Sequence, residues 1–150
     1  MTQWQPGMII TAGRLNDGLD PVTTASGATA ATNFALVGFS GRRAGRQVTI
    51  NFSVALSLAD VYTNDIHADV RGNLADTALG TLPVGWRPPE LVYCVIGDGF
   101  GSGECFISTT GVITVRSWNN DDGSTPSAAN RRGIVVGRNL RVTAAWLADS

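Results

Sequence analysis

The chain has 150 residues and a mass of 15.7 kDa, the size of one domain with a hydrophobic core of its own. A hydrophobic content of 43% excludes an intrinsically disordered chain. A formal net charge of −1 and an isoelectric point near 5.7 argue against a nucleic-acid-binding protein, because phosphate binding requires a concentrated positive field. Only 15% of the residues are charged, which favours a surface that is partly covered by a partner.

The N-terminal segment differs from the rest of the chain. Residues 1–7 contain no basic stretch and no hydrophobic run, so they do not form a secretory signal. No apolar run approaches the ~20 residues that cross a bilayer, and the sequence therefore predicts a protein made in the cytoplasm that does not bind membranes. Residues 1–27 are predicted to form an arm and residues 28–150 the folded domain. The alternative is an ordinary first strand with a loose loop.

Alternation of apolar and polar residues predicts that the domain is built from β-strands. The clearest case is residues 47–57, in which every second residue is large and apolar. The other predicted strands are residues 33–40, 66–70, 91–96, 104–108, 112–118, 134–136 and 140–146. Three prolines between residues 83 and 90 exclude a central strand there and predict an extended crossing. Short strands with frequent turn signals predict an all-β fold, an antiparallel β-sandwich or a barrel-like knob.

The two cysteines, Cys94 and Cys105, lie in two predicted strands that flank a glycine-rich loop. A hairpin centred near Gly99 and Phe100 would place the two cysteines opposite each other, which makes a cross-strand disulfide sterically feasible. Two reduced, apolar side chains are the other interpretation, and the one that the sequence favours. A zinc site is disfavoured, because one histidine and two cysteines leave it a ligand short.

The motifs that could indicate catalysis or a cofactor lack the required spacing or context. The glycine loop at residues 97–103 lacks the spacing of a phosphate-binding loop and is followed by a predicted strand. Residues 119–123 resemble half of a calcium loop, but the glycine is one place early and Asn130 stands where a bidentate glutamate is expected. No serine lies in a nucleophile elbow, and the single histidine, His67, lies on a predicted outward face. The sequence predicts a non-enzymatic protein without a metal or cofactor.

Two parts of the sequence resemble virion proteins. Residues 4–16, WQPGMIITAGRLN, resemble the opening of small virion proteins of tailed actinobacteriophages. Residues 82–88, LPVGWRP, resemble a segment in the head domains of phage tail fibres and minor tail proteins. The hairpin with a glycine turn at residues 107–113, ISTTGVI, matches the one that lies downstream in that pattern.

The resemblance implies a virion structural protein whose head domain is a β-sandwich homotrimer at the virion surface. The chain starts at its own Met1 without a stalk, which favours a capsid decoration protein. A tail-fibre or minor-tail tip that binds a host cell-surface glycan is the alternative, and an unrelated carbohydrate-binding domain or enzyme is a third.

Two sets of site residues follow from this interpretation. The predicted apolar anchors that attach the arm to capsid or tail proteins are Trp4, Met8, Ile9 and Ile10. The loops at residues 97–103 and 119–132 are predicted to face outward, and the candidate contacts in or beside them are Phe100, Trp118, Asp121 and Asp122. For Trp118 the alternative is that it ends a core strand.

Overall fold

The computed structural model describes residues 21–57, 66–69, 71–120 and 133–148, and these residues form an all-β fold. Ten strands form one antiparallel sheet that curls into a half-barrel. Two further short strands, β5 (Ile66–His67) and β11 (Gly133–Ile134), pair with each other. The predicted all-β, barrel-like fold is confirmed.

The main sheet has the strand order β1-β3-β4-β12-β7-β8-β9-β6-β2, and β10 pairs with β8 beside this path. Its strands are β1 (Val22–Thr24), β2 (Thr29–Ala30), β3 (Phe34–Ala44), β4 (Gln47–Leu56), β6 (Asn73–Thr81), β7 (Val92–Gly97), β8 (Gly101–Ile107), β9 (Val112–Ser117), β10 (Asn119–Asn120) and β12 (Asn139–Leu147). Since β2 follows β1 in the chain but pairs with β6, the short segment between them links the two ends of the curled sheet.

Strands β3, β4 and β12 form the most completely paired part of the sheet. A two-residue turn, Gly45-Arg46, connects β3 to β4, and the φ of +57° at Gly45 is the left-handed conformation that this position of a type II′ turn requires. Along all of β12 each residue pairs with β4. The inward residues of both strands are apolar and buried, as the period-two pattern predicts: Val48, Ile50, Phe52, Val54, Leu56, Leu140, Val142, Ala144 and Trp146.

Strands β7, β8 and β9 form the other side of the half-barrel. The β7–β8 hairpin pairs Val92 with Ile107 and continues to Gly97 and Ser102. On its other side, β7 pairs with β12 only at Ile96 and Gly97. From Val92 to Val95, therefore, β7 has β8 on one side and, within the described residues, no strand on the other.

Strand β6 was not predicted from the sequence. The segment 73–78 contains a single large apolar residue, Leu74, and the pairing with β9 shifts register twice, so no regular alternation marks this strand. If Gly80 carried a Cβ, this atom would lie 2.5 Å from the ring of Phe52 on β4. The absence of a side chain at Gly80 thus lets the Phe52 ring fill the interior between the two sides of the sheet.

The proline-rich segment contains no strand, as predicted. It begins with the fully buried Leu82 and includes a turn in which Trp86 N–H donates to the Pro83 carbonyl. The Trp86 ring lies against Gly41 of β3, where a Cβ would meet it at 2.5 Å. This crossing covers the sheet and leads the chain from β6 to β7.

Candidate binding surface

The outer side of β7 carries apolar residues where a solvent-facing strand normally carries polar ones. Its inward residues are Val92, Cys94 and Ile96, while Tyr93 is 58% and Val95 is 70% exposed. A strand that is apolar on both sides is typical of one covered on both faces. A cluster of exposed apolar side chains of this kind marks an interaction surface.

Two neighbouring strands, β8 and β9, extend this cluster, which we call the aromatic face and define as Tyr93, Val95, Phe106 and Arg116. The rings of Tyr93 and Phe106 are 6.3 Å apart at their centroids and inclined by 57°. The Arg116 guanidinium lies 4.9 Å from the centroid of the Phe106 ring. The aromatic face therefore presents two rings and a cation side by side.

An ion pair at the edge of the aromatic face fixes the position of Arg116. Its Nε donates to Asp76 Oδ1 at 3.2 Å and its Nη2 donates to Asp76 Oδ2 at 3.3 Å. This hydrogen bonding, together with the negative charge of Asp76, raises the pKa of Arg116. A bidentate pair holds the guanidinium in one plane, and so the cation stays positioned over the ring.

A hollow of about 440 Å³ lies beside Tyr93. The polar residues that line it include Ser102, Glu104, Ser117 and Asn119. At Gly103 the chain passes so close to the Ser117 carbonyl that a Cβ would overlap it. An aromatic ring next to a carboxylate, hydroxyls and an amide is the chemical composition that suits a sugar, which has both apolar C–H faces and hydroxyl groups.

The turn between β7 and β8 places Phe100 at its tip, and the ring is 72% exposed. The buried Asp98 shapes this turn, because its Oδ1 accepts hydrogen bonds from the N–H groups of Phe100 at 2.8 Å and Gly101 at 2.7 Å. Arg138 donates to Asp98 Oδ2 at 3.4 Å and lies 4.2 Å from the centroid of the Phe100 ring. Phe100 is thus an exposed residue on a well-braced turn.

The prediction that Trp118 is an outward contact was wrong. Trp118 is fully buried, and its backbone N–H donates to the Gly72 carbonyl at 2.8 Å. The chain continues beyond it into β10, which pairs with β8, so Trp118 lies inside the fold and not at the start of an open loop. The alternative, a residue that ends a core strand, describes its position.

Several predicted site residues lie outside the described residues. They are the arm residues Trp4, Met8, Ile9 and Ile10 and the loop residues Asp121 and Asp122. Of the predicted arm, residues 21–27 are described, and Val22–Thr24 form β1, which pairs with Gly41, Arg42 and Arg43 of β3. The sheet therefore begins before residue 28.

Tyr93, Phe106 and Arg116 were not predicted as site residues from the sequence. A signal was present, since residues 91–96 are almost all apolar and so cannot alternate between a core side and a solvent side. The neighbours that complete the aromatic face come from β8 and β9, and their proximity depends on a register that the sequence alone does not specify.

The outer side of β4 and β12 around Asn51 is mostly polar, although Leu36 and Val37 of the neighbouring β3 are exposed. A second hollow, of about 390 Å³, lies there, and its lining combines polar residues such as Ser40, Asn51 and Thr143 with the apolar Phe39 and Val142. Asn51 donates to Ser40 Oγ at 3.4 Å and accepts from the Thr143 hydroxyl at 2.8 Å. These polar groups satisfy one another by hydrogen bonding.

No helix long and apolar enough to cross a membrane occurs among the described residues. Within the same ranges, no three His, Cys, Asp or Glu side chains are grouped closely enough to hold a metal ion. The sequence matches no protein-family model and no curated protein.

Proposed function

We propose that this protein is a non-enzymatic structural protein of a bacteriophage virion. It forms a β-rich, homotrimeric knob at the virion surface and serves as a capsid decoration protein. The proposal rests on the resemblance of residues 4–16, 82–88 and 107–113 to phage virion proteins. The observation that supports it most directly is the way in which the last two segments contact each other.

Segments 82–88 and 107–113 form one packed unit. The Leu82 N–H donates to the Gly111 carbonyl at 2.9 Å, and the Arg87 Nε donates to the Leu82 carbonyl at 3.0 Å. Arg87 also lies over Gly111, where a Cβ would be only 2.8 Å from the Arg87 Cγ. Gly85 has a φ of +88°, which glycine adopts without strain. Leu82 and Arg87 of the first segment thus pack against the glycine turn of the second.

The aromatic face is the surface that we assign to contacts between subunits. Tyr93 and Val95 expose apolar area on a strand whose edge is only partly paired, and protein interfaces are enriched in such aromatic residues and arginine. Burial of this area in a trimer is consistent with the low content of charged residues. In the same proposal, the segment that precedes β1 attaches the knob to the particle through Trp4, Met8, Ile9 and Ile10.

The number of copies per particle tests this function. In purified virions of the phage that encodes the chain, quantitative mass spectrometry against the major capsid protein is expected to give hundreds of copies. A few copies per particle would contradict capsid decoration and place the protein on the tail. Absence from the particle would rule out both.

The subunit contact is tested by sedimentation of the purified chain. Val95→Arg introduces a charge into the aromatic face and is expected to convert trimers to monomers. The matched control, Ser40→Arg, places the same charge on the polar side of β3, where it should leave the trimer intact. Monomeric wild-type protein, or equal effects of the two substitutions, would contradict the assignment.

A receptor-binding tail tip is the second candidate, and the hollow beside Tyr93 is the observation that favours it. Its combination of an exposed ring with Glu104, Ser102 and Asn119 suits a host glycan. Binding to immobilised cell-wall polysaccharide of the host, lost in Tyr93→Ala and retained in Ser40→Ala, is the result expected from this candidate. Few copies per virion together with such binding would favour the tail tip over the decoration protein.

A further inference from the structure

Cys94 of β7 and Cys105 of β8 are direct partners across the hairpin. Their sulfur atoms are 3.1 Å apart, and both thiols are free. Cys94 is half-buried, whereas Cys105 is fully buried. The predicted juxtaposition of the two cysteines is therefore confirmed, and the structure adds that Cys94 is partly exposed whereas Cys105 is fully buried.

The contact between the sulfur atoms makes the two thiols chemically unequal. A hydrogen bond from the Cys105 thiol lowers the pKa of Cys94, although partial burial acts in the opposite direction. The same hydrogen bond, burial and the charges of Cys94 and Glu104 raise the pKa of Cys105. Cys94 is thus the thiol that ionises first, and it is also the less buried of the two.

We propose that Cys94 and Cys105 form a redox modification site, which low-molecular-weight disulfides oxidise to a cross-strand disulfide. Cys94 is the attacking thiol and Cys105 the resolving thiol. The inference stands on the hairpin geometry alone and does not depend on a role in a virion.

The reaction proceeds by two thiol–disulfide exchanges. The Cys94 thiolate attacks one sulfur of the small disulfide, so that a mixed disulfide forms and one small thiolate leaves. Cys105 then loses its proton, attacks the Cys94 sulfur and displaces the second small thiolate. The two leaving thiolates take up the two protons that the cysteines lose. The protein thiols are oxidised by two electrons, and the small disulfide is reduced to two thiols.

The backbone is already placed for this bond. Directly paired residues of antiparallel strands have Cα atoms about 4.5–5.5 Å apart, within the range that disulfides span. The sulfur atoms need to approach by only about 1 Å. Since β7 is paired with β12 at only two positions, a covalent link to β8 would fix the part of β7 that carries the aromatic face.

The first experiment uses the purified full-length chain, reduced and then incubated with glutathione disulfide at neutral pH without denaturant. Intact mass spectrometry is expected to show the loss of two hydrogen atoms and no bound glutathione, and the product should no longer react with iodoacetamide. The oxidised protein should melt about 5–10 °C above the reduced protein. A stable glutathione adduct, or thiols that become oxidised only in denaturant, would overturn the proposal.

Two single variants separate the roles of the thiols. In Cys105→Ala, Cys94 should accumulate as a stable mixed disulfide with glutathione, because no resolving thiol remains. In Cys94→Ala, the buried Cys105 should stay unmodified in the folded protein and react only after unfolding. Rapid modification of Cys105 in that variant would contradict the assignment of the attacking thiol. The wild-type result decides the existence of the site even if a variant does not fold.

The pH dependence of alkylation tests the hydrogen bond between the thiols. Because the pKa of Cys94 is lowered, its iodoacetamide reaction in the wild type should rise with pH and level off below the usual range of a cysteine. Glu104 is the charged neighbour that acts on the pair, through Cys105, and it is present in both proteins. In Cys105→Ala the midpoint should move to higher pH, since the donor is lost; an unchanged midpoint would contradict this account.

Discussion

The β4–β12 pair and the β7–β8 hairpin consist of similar strands, but they differ in what lies on their outer sides. In β4 and β12, apolar residues point inward, and polar residues such as Asn51 and Thr143 point outward and bond to each other. In β7, both sides are apolar, one edge is only partly paired and the tip exposes Phe100. The inner sides of both regions are buried in one core, so the two regions differ on their outer sides, and only the second exposes apolar groups and a thiol pair suited to binding and chemistry.

The largest expected difference in the free energy of unfolding is between variants of two phenylalanines, one in the core and one at the exposed hairpin tip. Phe52→Ala removes a buried ring that fills the space between β4 and Gly80 of β6, so it should lower the free energy of unfolding by about 3–5 kcal/mol. Phe100→Ala removes an exposed ring in contact with Arg138 and should cost at most about 1 kcal/mol. Urea denaturation measures both values. Equal losses would show that the hairpin tip is part of the core and would break the comparison.

An intermediate effect is expected at Asp98, which connects the two regions because it is buried but supports the exposed tip. Asp98→Ala leaves the N–H groups of Phe100 and Gly101 and the Arg138 guanidinium without their acceptor, and should cost about 1–3 kcal/mol. Asp98→Asn keeps an acceptor oxygen and should lose less. Urea denaturation of both variants gives the ordering, and an equal loss in the two variants would show that the charge of Asp98, and not its backbone hydrogen bonding, dominates at this turn.

The sequence predicted the regular parts of the fold and the position of the cysteine pair. Strand β4 was predictable because its alternation is complete, and the hairpin was predictable because glycines mark its turn. Strand β6 was not, since bulges interrupt its pairing with β9 and Leu74 is the sole large apolar residue in its first six positions. Irregular pairing removes the periodicity from which a strand is recognised.

The candidate surface was less predictable than the fold. Phe100 could be placed at an exposed tip from the local glycine pattern, because a hairpin turn is a short-range feature. Trp118 could not be placed, because its burial depends on a contact with Gly72, far away in the sequence. The aromatic face also depends on long-range register, since Tyr93, Phe106 and Arg116 come from three strands.

The smallest expected effect concerns Arg116 and Asp76, and it sharpens the comparison at the aromatic face. Both side chains are about half exposed, and exposed ion pairs contribute about 0.2–1 kcal/mol. A double-mutant cycle with Arg116→Ala and Asp76→Ala, measured by urea denaturation of monomeric Val95→Arg protein, should therefore give a coupling energy at the low end of that range.

If Arg116 instead acts at the proposed subunit contact, Arg116→Ala in the wild-type background should weaken the trimer much more than it destabilises the monomer. Equal effects in the two backgrounds would mean that the cation over Phe106 serves the fold alone, and the aromatic face would then lose its strongest polar contact for a partner.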